Sequence, residues 1–166
     1  MDAFSICSKF IGKVCWDVVA SPRSGSIISL NLGNKIQIFH CKTGQASSLG
    51  PRGEFEIFIE CYWELHKQQT LLCTADDSAE ENGPILNGIK SIINQKIEFM
   101  TFSNLNMDLG IEFENRSGLN IYAHHNTWGN NSFTLFTPEI NIKIFGNGEI
   151  KESKPDNCEN QSNQNC

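Results

Sequence analysis

The chain has 166 residues, nineteen acidic side chains against thirteen basic ones, and a formal charge of −6. That length suits one domain whose core needs no disulfide or metal staple, and the acidic balance excludes direct nucleic-acid binding as the expected function, because phosphate would be repelled. No apolar run approaches the ~20 residues of a membrane span, and the opening MDAFSICSKFIGKVCWDVV lacks the basic start and unbroken apolar stretch of a signal peptide, so a cytoplasmic protein with no membrane contact is expected.

Frequent Ile, Phe, Asn, Ser and Gly favour strands and turns over long helices. In chain order, Lys13–Val19 reads as an early strand. Ile27–Leu32 and Ile36–His40 flank Gly33 and Asn34, which reads as a hairpin turn. The strongest local signal is GEFEIFIECYWEL, Gly53–Leu65. Phe55, Ile57, Ile59, Cys61, Trp63 and Leu65 alternate there with Glu54, Glu56, Phe58, Glu60, Tyr62 and Glu64, and period-two alternation means a half-buried strand. The acidic stretch Thr74–Gly88 reads as a loop, with at most a short helix near Asp77–Glu81. Asn87–Ile92 then reads as a glycine-led strand and Ile97–Phe102 as another. Ile111 and Phe113 run through NRSG to Leu119 and Ile121 as a hairpin. Phe133–Phe136 and Ile140–Phe145 follow as strands, and residues 151–166 form a polar tail expected to be disordered.

The two halves of the chain show a weak repeat. IGKV, ISLNLGNKIQIF and FEIFIECYWEL in the first answer to NGIKSI, LGIEFENRSGLNIY and SFTLFTPE in the second. The expected architecture is therefore mainly β: one antiparallel sandwich or partly open barrel over residues 1–150, built from two related β units. Neither unit alone has enough strands to close a stable core.

Candidate chemistry is sparse. His124 and His125 are consecutive, so a regular strand would point them to opposite faces, and only His40 and His66 remain as further imidazoles for a site that needs three or four ligands. The stretch Tyr122–Phe133, YAHHNTWGNNSF, reads as a polar hairpin loop with Trp128 as an aromatic anchor. Cys41 beside His40 diverges from it for the same strand reason. The seven cysteines carry no C-x-x-C spacing and read as buried or free thiols. No G-x-S-x-G, P-loop or dinucleotide fingerprint occurs, and neither a cofactor nor a metal is expected. Glu54 and Glu56 lie on one strand face, roughly 7 Å apart at a strand's rise per residue, but they belong to a regular solvated row rather than to a paired acid and base.

That row is the informative feature. Glu54, Glu56, Glu60 and Glu64, interleaved with Phe58 and Tyr62, make an acidic and aromatic surface, and Asp76, Asp77, Glu80 and Glu81 add a second acidic patch. Aromatic side chains are enriched at interfaces, and such a surface suits a basic protein cleft. With Trp128 these residues form the expected partner-binding set.

The plan of a Gly-Lys-Val entry, FEIFIECYWEL with Trp63 and Leu65, LNGIKSI at mid-chain and a hairpin through NRSG resembles the small β-rich immunity proteins of bacterial contact-dependent growth inhibition and related polymorphic toxin systems, over Ile11 to Ile150. The resemblance implies a cytosolic, non-catalytic protein that binds and neutralises one cognate toxin domain, often a nuclease, and it gives no contact residues. The competing expectation is a ligand- or carbohydrate-binding β module using His124, Asn126, Trp128 and Asn130 at an open end. A small hydrolase would need convergent polar groups that the sequence does not display.

Overall fold

In the computed structural model, which describes residues 3–23, 25–42, 45–124 and 132–155 (the side chains of 3–4 and 38–49 excepted), the alternation at 53–65 is realised residue for residue. Phe55, Ile57, Ile59, Cys61, Trp63 and Leu65 are buried, while Glu54, Glu56, Phe58, Glu60, Tyr62 and Glu64 face outward and are half-buried. The chain here forms two strands, β3 (Gln45–Ile59) and β4 (Tyr62–Lys67), separated only by Glu60 and Cys61.

The other strands are β1 (Val14–Ala20), β2 (Ile28–Lys42), β5 (Thr70–Thr74), β6 (Gln95–Ser103), β7 (Asp108–Phe113), β8 (Ser117–Tyr122), β9 (Ser132–Phe136), β10 (Asn141–Phe145) and β11 (Ile150–Ser153). All pair antiparallel in one 11-stranded sheet, ordered β11-β10-β9-β3-β2-β1-β6-β7-β8-β4-β5. Five strands stand between β3 and β4 in that order, yet two residues join them. The sheet must therefore bend back on itself around a common interior, with the 45–67 segment crossing from one half to the other. Ile57, Ile59 and Leu30 of the first half share one buried cluster with Trp63, Leu119 and Ile121 of the second.

The expected duplication takes a definite form. Each unit starts with a helical segment: α1 (Ala3–Cys7) runs into a 3-10 turn at Ser8–Phe10, and α2 (Pro84–Gly88) runs into one at Ile89–Ser91. Each then reverses through a left-handed residue, Gly12 (φ 82°) or Asn94 (φ 63°). Gly12 N donates to Ile97 O (2.8 Å) and Asn94 N donates to Cys15 O (2.6 Å), so a pseudo-dyad lies at the Val14–Lys96 pair where β1 meets β6. Three strands of each unit stay beside that axis. The remaining strands cross over: β4 pairs onto β8 and carries β5, and β9 pairs onto β3 and carries β10 and β11. Strand exchange joins the two units in one continuous sheet.

Several sequence expectations are corrected. Gly33 and Asn34 do not turn the chain. β2 continues through them with a shift of register between Leu32 and Lys35, and Gly33 at φ 73° absorbs the extra residue as a bulge. Two side chains hold that bulge: Glu54 Oε2 accepts from Asn34 Nδ2 (2.9 Å), and Asn31 Oδ1 accepts from Gly53 N (2.9 Å). Asn87–Ile92 is helical rather than a strand, and Asp77–Glu81 is turn, the helix starting later at Pro84. Pro84 at the first helical turn explains the start, since it lacks an N–H that would go unbonded there anyway. Residues 151–153, expected to open the tail, pair with β10 as part of β11; residues 156–166 lie outside the described residues. The strands expected at 13–19, 97–102, 133–136 and 140–145 and the NRSG hairpin are present within a few residues. No helix among the described residues is long and apolar enough to cross a membrane.

Candidate functional site

The bend at Glu60–Cys61 divides the glutamate row between two outer faces with different electrostatics. On the first half, long cations cover the acids. Arg52 Nε lies 2.5 Å from Glu56 Oε2, close enough for an ion pair though not aligned as a hydrogen bond. Ser29 Oγ donates to Glu56 Oε1 (2.5 Å). Lys143 Nζ and Ser132 Oγ both donate to Glu60 Oε2, at 2.7 and 3.1 Å. The same cations lie over aromatic rings, Arg52 on Phe136 and Lys143 on Phe145. Ser29, Asn31 and Thr134 are buried beneath this layer although they lie on an outward face. Glu54 is held at the bulge. Glu54, Glu56 and Glu60 therefore serve as structural anchors.

On the second half the acids are held differently. β4 presents Tyr62, Glu64 and His66, β8 presents Gly118, Asn120 and Tyr122, and β7 presents Asp108, Gly110 and Glu112, in a cross-strand grid fixed by the register. The phenols of Tyr62 and Tyr122 both donate to Glu64, at 3.2 and 3.3 Å, and His66 Nε2 lies 3.2 Å from it. The two tyrosine rings sit 6.0 Å apart. His124 stacks edge-on against Tyr122 and places Nδ1 2.7 Å from Asp108 Oδ1. Among the described residues, the ion-pair partners of Glu64 and Asp108 are histidines, with no lysine or arginine in reach. Partial burial pushes both phenols above their usual range, and the negative charge of Glu64 pushes them the same way. They stay protonated as donors, which suits binding rather than acid–base exchange near neutral pH.

Two open clefts cut this face. One, of about 330 Å³, lies over Gly110 between Thr101, Asp108, Asn120 and Tyr122. The other, of about 570 Å³, lies over Gly118 between His66, Glu98, Glu112 and the turn residues Gln68, Gln69 and Arg116. Each exists because a glycine stands where a neighbouring outward position carries a side chain.

In the following loop, Asp77 accepts from Thr74 N (2.7 Å) and Thr74 Oγ1 (3.3 Å) and so closes its own turn. Asp76, Glu80 and Glu81 are exposed, and the charge of Asp76 reaches the Tyr62 phenol. Trp128, with His125, Asn126 and Asn130, lies outside the described residues, as do the side chains of His40 and Cys41. Cys7, Cys15, Cys61 and Cys73 are buried, as the sequence reading expected. Burial pushes Cys15 and Cys61 up to about 12 and Cys73 to about 11, so they remain uncharged.

The sequence reading named Tyr62 and Glu64 but missed Tyr122, Asp108, His66 and the two glycines that share their face. Alternation at 117–122 and 108–113 places these residues outward, but only the pairing of β4 with β8 brings them together. No family model matches the chain, no curated protein matches it, and no solved structure matches its fold.

Proposed function

We propose that this chain is a non-catalytic, cytoplasmic immunity protein that binds and neutralises a cognate bacterial toxin domain. The contact surface is the outer face of β4, β8 and β7 together with the acidic loop at Asp76, Glu80 and Glu81. The observation that carries the reading is the contrast between the two faces. Glu56 and Glu60 are neutralised by Arg52 and Lys143, whereas Glu64 and Asp108 have histidine and tyrosine partners beside an exposed acidic loop. A face of carboxylates without lysine or arginine partners among the described residues, set around paired tyrosines, is complementary to a basic cleft. The toxin identity draws on the family resemblance of the sequence. A nuclease is the favoured class, because its active site must be basic to hold phosphate and an acidic surface can occupy it.

The test is co-expression of the tagged chain with the product of the adjacent upstream gene, with toxicity of that product alone scored separately. A stoichiometric complex whose association slows with salt supports the reading; a non-toxic product that does not bind overturns it. A second reading, a module for a small polar ligand or carbohydrate, is favoured by the cleft over Gly118. Saccharide binding that persists when Glu64 and Asp108 are reversed to lysine would support it over the first.

A further inference from the structure

The pseudo-dyad gives outward residues of one half their counterparts in the other. The row Phe58, Thr134 and Lys143 across β3, β9 and β10 answers to Asn120, Glu64 and Thr74 across β8, β4 and β5. Two positions along, Glu60 and Ser132 answer to Tyr122 and Tyr62. The first half carries its own cations. Lys143 donates to Glu60 at 2.7 Å with Nζ 5.4 Å from the Phe145 ring centroid. Arg52 pairs with Glu56, its guanidinium carbon 4.5 Å from the Phe136 ring centroid. Carboxylate, aromatic ring and cation meet there twice.

On the second half the chain supplies two of those three parts. Glu64, its side chain 28 % exposed, gives the carboxylate, and Tyr62 and Tyr122, 6.0 Å apart, give the rings. The place of Lys143 is taken by Thr74, directly across from Glu64, where Cβ atoms of paired strands lie about 4.5–5.5 Å apart. No lysine or arginine among the described residues pairs with Glu64. Its phenol contacts, at 3.2 and 3.3 Å, are long beside the about 2.5–2.7 Å usual for a hydroxyl on a carboxylate. They fix the carboxylate without cancelling its charge. The charge of Asp76 bears on Tyr62 as well, so a second acid backs the same spot. Tyr62 takes Oε1 of Glu64 and Tyr122 takes Oε2. That leaves no open two-oxygen edge for a guanidinium fork, and a compact ammonium fits better.

We infer that Glu64, Tyr62 and Tyr122 receive a lysine side chain of the protein partner, its ammonium beside Thr74 in the place that Lys143 fills on the other half. Glu64 supplies a charge-assisted acceptor, and rings within about 6 Å add cation–π attraction. The inference rests on the protein-binding reading of this face and names the chemistry of one contact within it.

The test is an NMR titration of the full chain with Nα-acetyl-lysine amide, beside its neutral Nε-acetylated counterpart and Nα-acetyl-arginine amide. The lysine probe should shift the backbone resonances of Glu64, Thr74 and Tyr122, the neutral probe should not, and the arginine probe should bind more weakly. Glu64→Gln keeps the side chain's shape and removes its charge. It should weaken the lysine response at least about tenfold, the loss expected for hydrogen bonds to charged groups. Thr74→Lys supplies the cation from within and should abolish the response, while Glu149→Gln, on the far hairpin, should leave it unchanged. If Thr74→Lys fails to fold, Glu64→Gln still decides the matter. No shift at these residues, an equal response to the neutral probe, tighter binding of arginine, or indifference to Glu64→Gln overturns the inference. Such a failure beside an intact toxin complex that Asp108→Lys weakens would leave the protein-binding reading standing. A lysine response in a chain that binds no toxin would remove that reading and leave a cation site.

Discussion

Replacing Glu56 by alanine should destabilise the fold although the residue lies in a charged row on an outward face. Its side chain is 15 % exposed, accepts from Ser29 Oγ at 2.5 Å and pairs with Arg52. The variant leaves the Ser29 hydroxyl buried without its acceptor, which costs about 1–3 kcal/mol. The pair with Arg52, itself 35 % exposed, adds about 0–1 kcal/mol. For a chain of this size each kcal/mol lowers Tm by about 2–4 °C, so the drop should be roughly 2–16 °C. Glu56→Gln keeps an acceptor for Ser29 and should recover about half of the loss. Glu80→Ala, at an exposed position, should stay within about 0.5 kcal/mol of the parent. Urea unfolding followed by circular dichroism, with a common slope, measures all three. If Glu56→Ala matches Glu80→Ala, the row is an ordinary solvated face and the division into structural and free acids is wrong.

Gly88→Ala should cost about 1–3 kcal/mol by overpacking, because its Cβ would lie 2.4 Å from Cys73 Sγ, and Cys73→Ala in the same chain should remove most of that penalty in a double-mutant cycle. Stability should fall as pH rises from 9 toward 12: the unfolded thiols ionise near 9.0, while folded Cys15 and Cys61 hold their protons to about 12. Cys15→Ala with Cys61→Ala should flatten that loss in unfolding curves taken at pH 9, 10 and 11; an unchanged slope would contradict it. A fragment of residues 1–80 should give the spectrum of an unfolded chain, since the β4–β5 hairpin joins the sheet only through β4 pairing with β8 of the other unit; a dispersed amide spectrum would refute the strand exchange.

Alternation made legible both the burial of Phe55, Ile57, Ile59, Cys61, Trp63 and Leu65 and the outward facing of Phe58, Glu60, Tyr62 and Glu64 between them. Gly33–Asn34 misled because a left-handed glycine serves a bulge as well as a turn; only the acceptors at Glu54 and Asn31, 20 and 22 positions from their donors, decide between them. LNGIKSI misled because a short buried helix followed by a 3-10 turn carries no longer an apolar pattern than a strand does. The duplication was visible as a pattern, but the exchange of β4–β5 for β9–β10 is a long-range pairing with no local signature. For the same reason the glutamate row looked uniform. Lys143 meets Glu60 from 83 positions away, and Tyr122 meets Glu64 from 58.

The central claim is that the acidic face of β4, β7 and β8 is the partner-binding surface. Its most direct test is titration calorimetry of the toxin domain against Glu64→Lys with Asp108→Lys, beside Glu149→Lys with Glu152→Lys, which makes the same charge change on the β10–β11 hairpin. The account predicts at least about a hundredfold loss for the first pair, as expected when charged contacts at an interface centre are reversed, and less than about threefold for the second, whose long-range effect is screened by salt. Equal losses, or a complex indifferent to both, would contradict it.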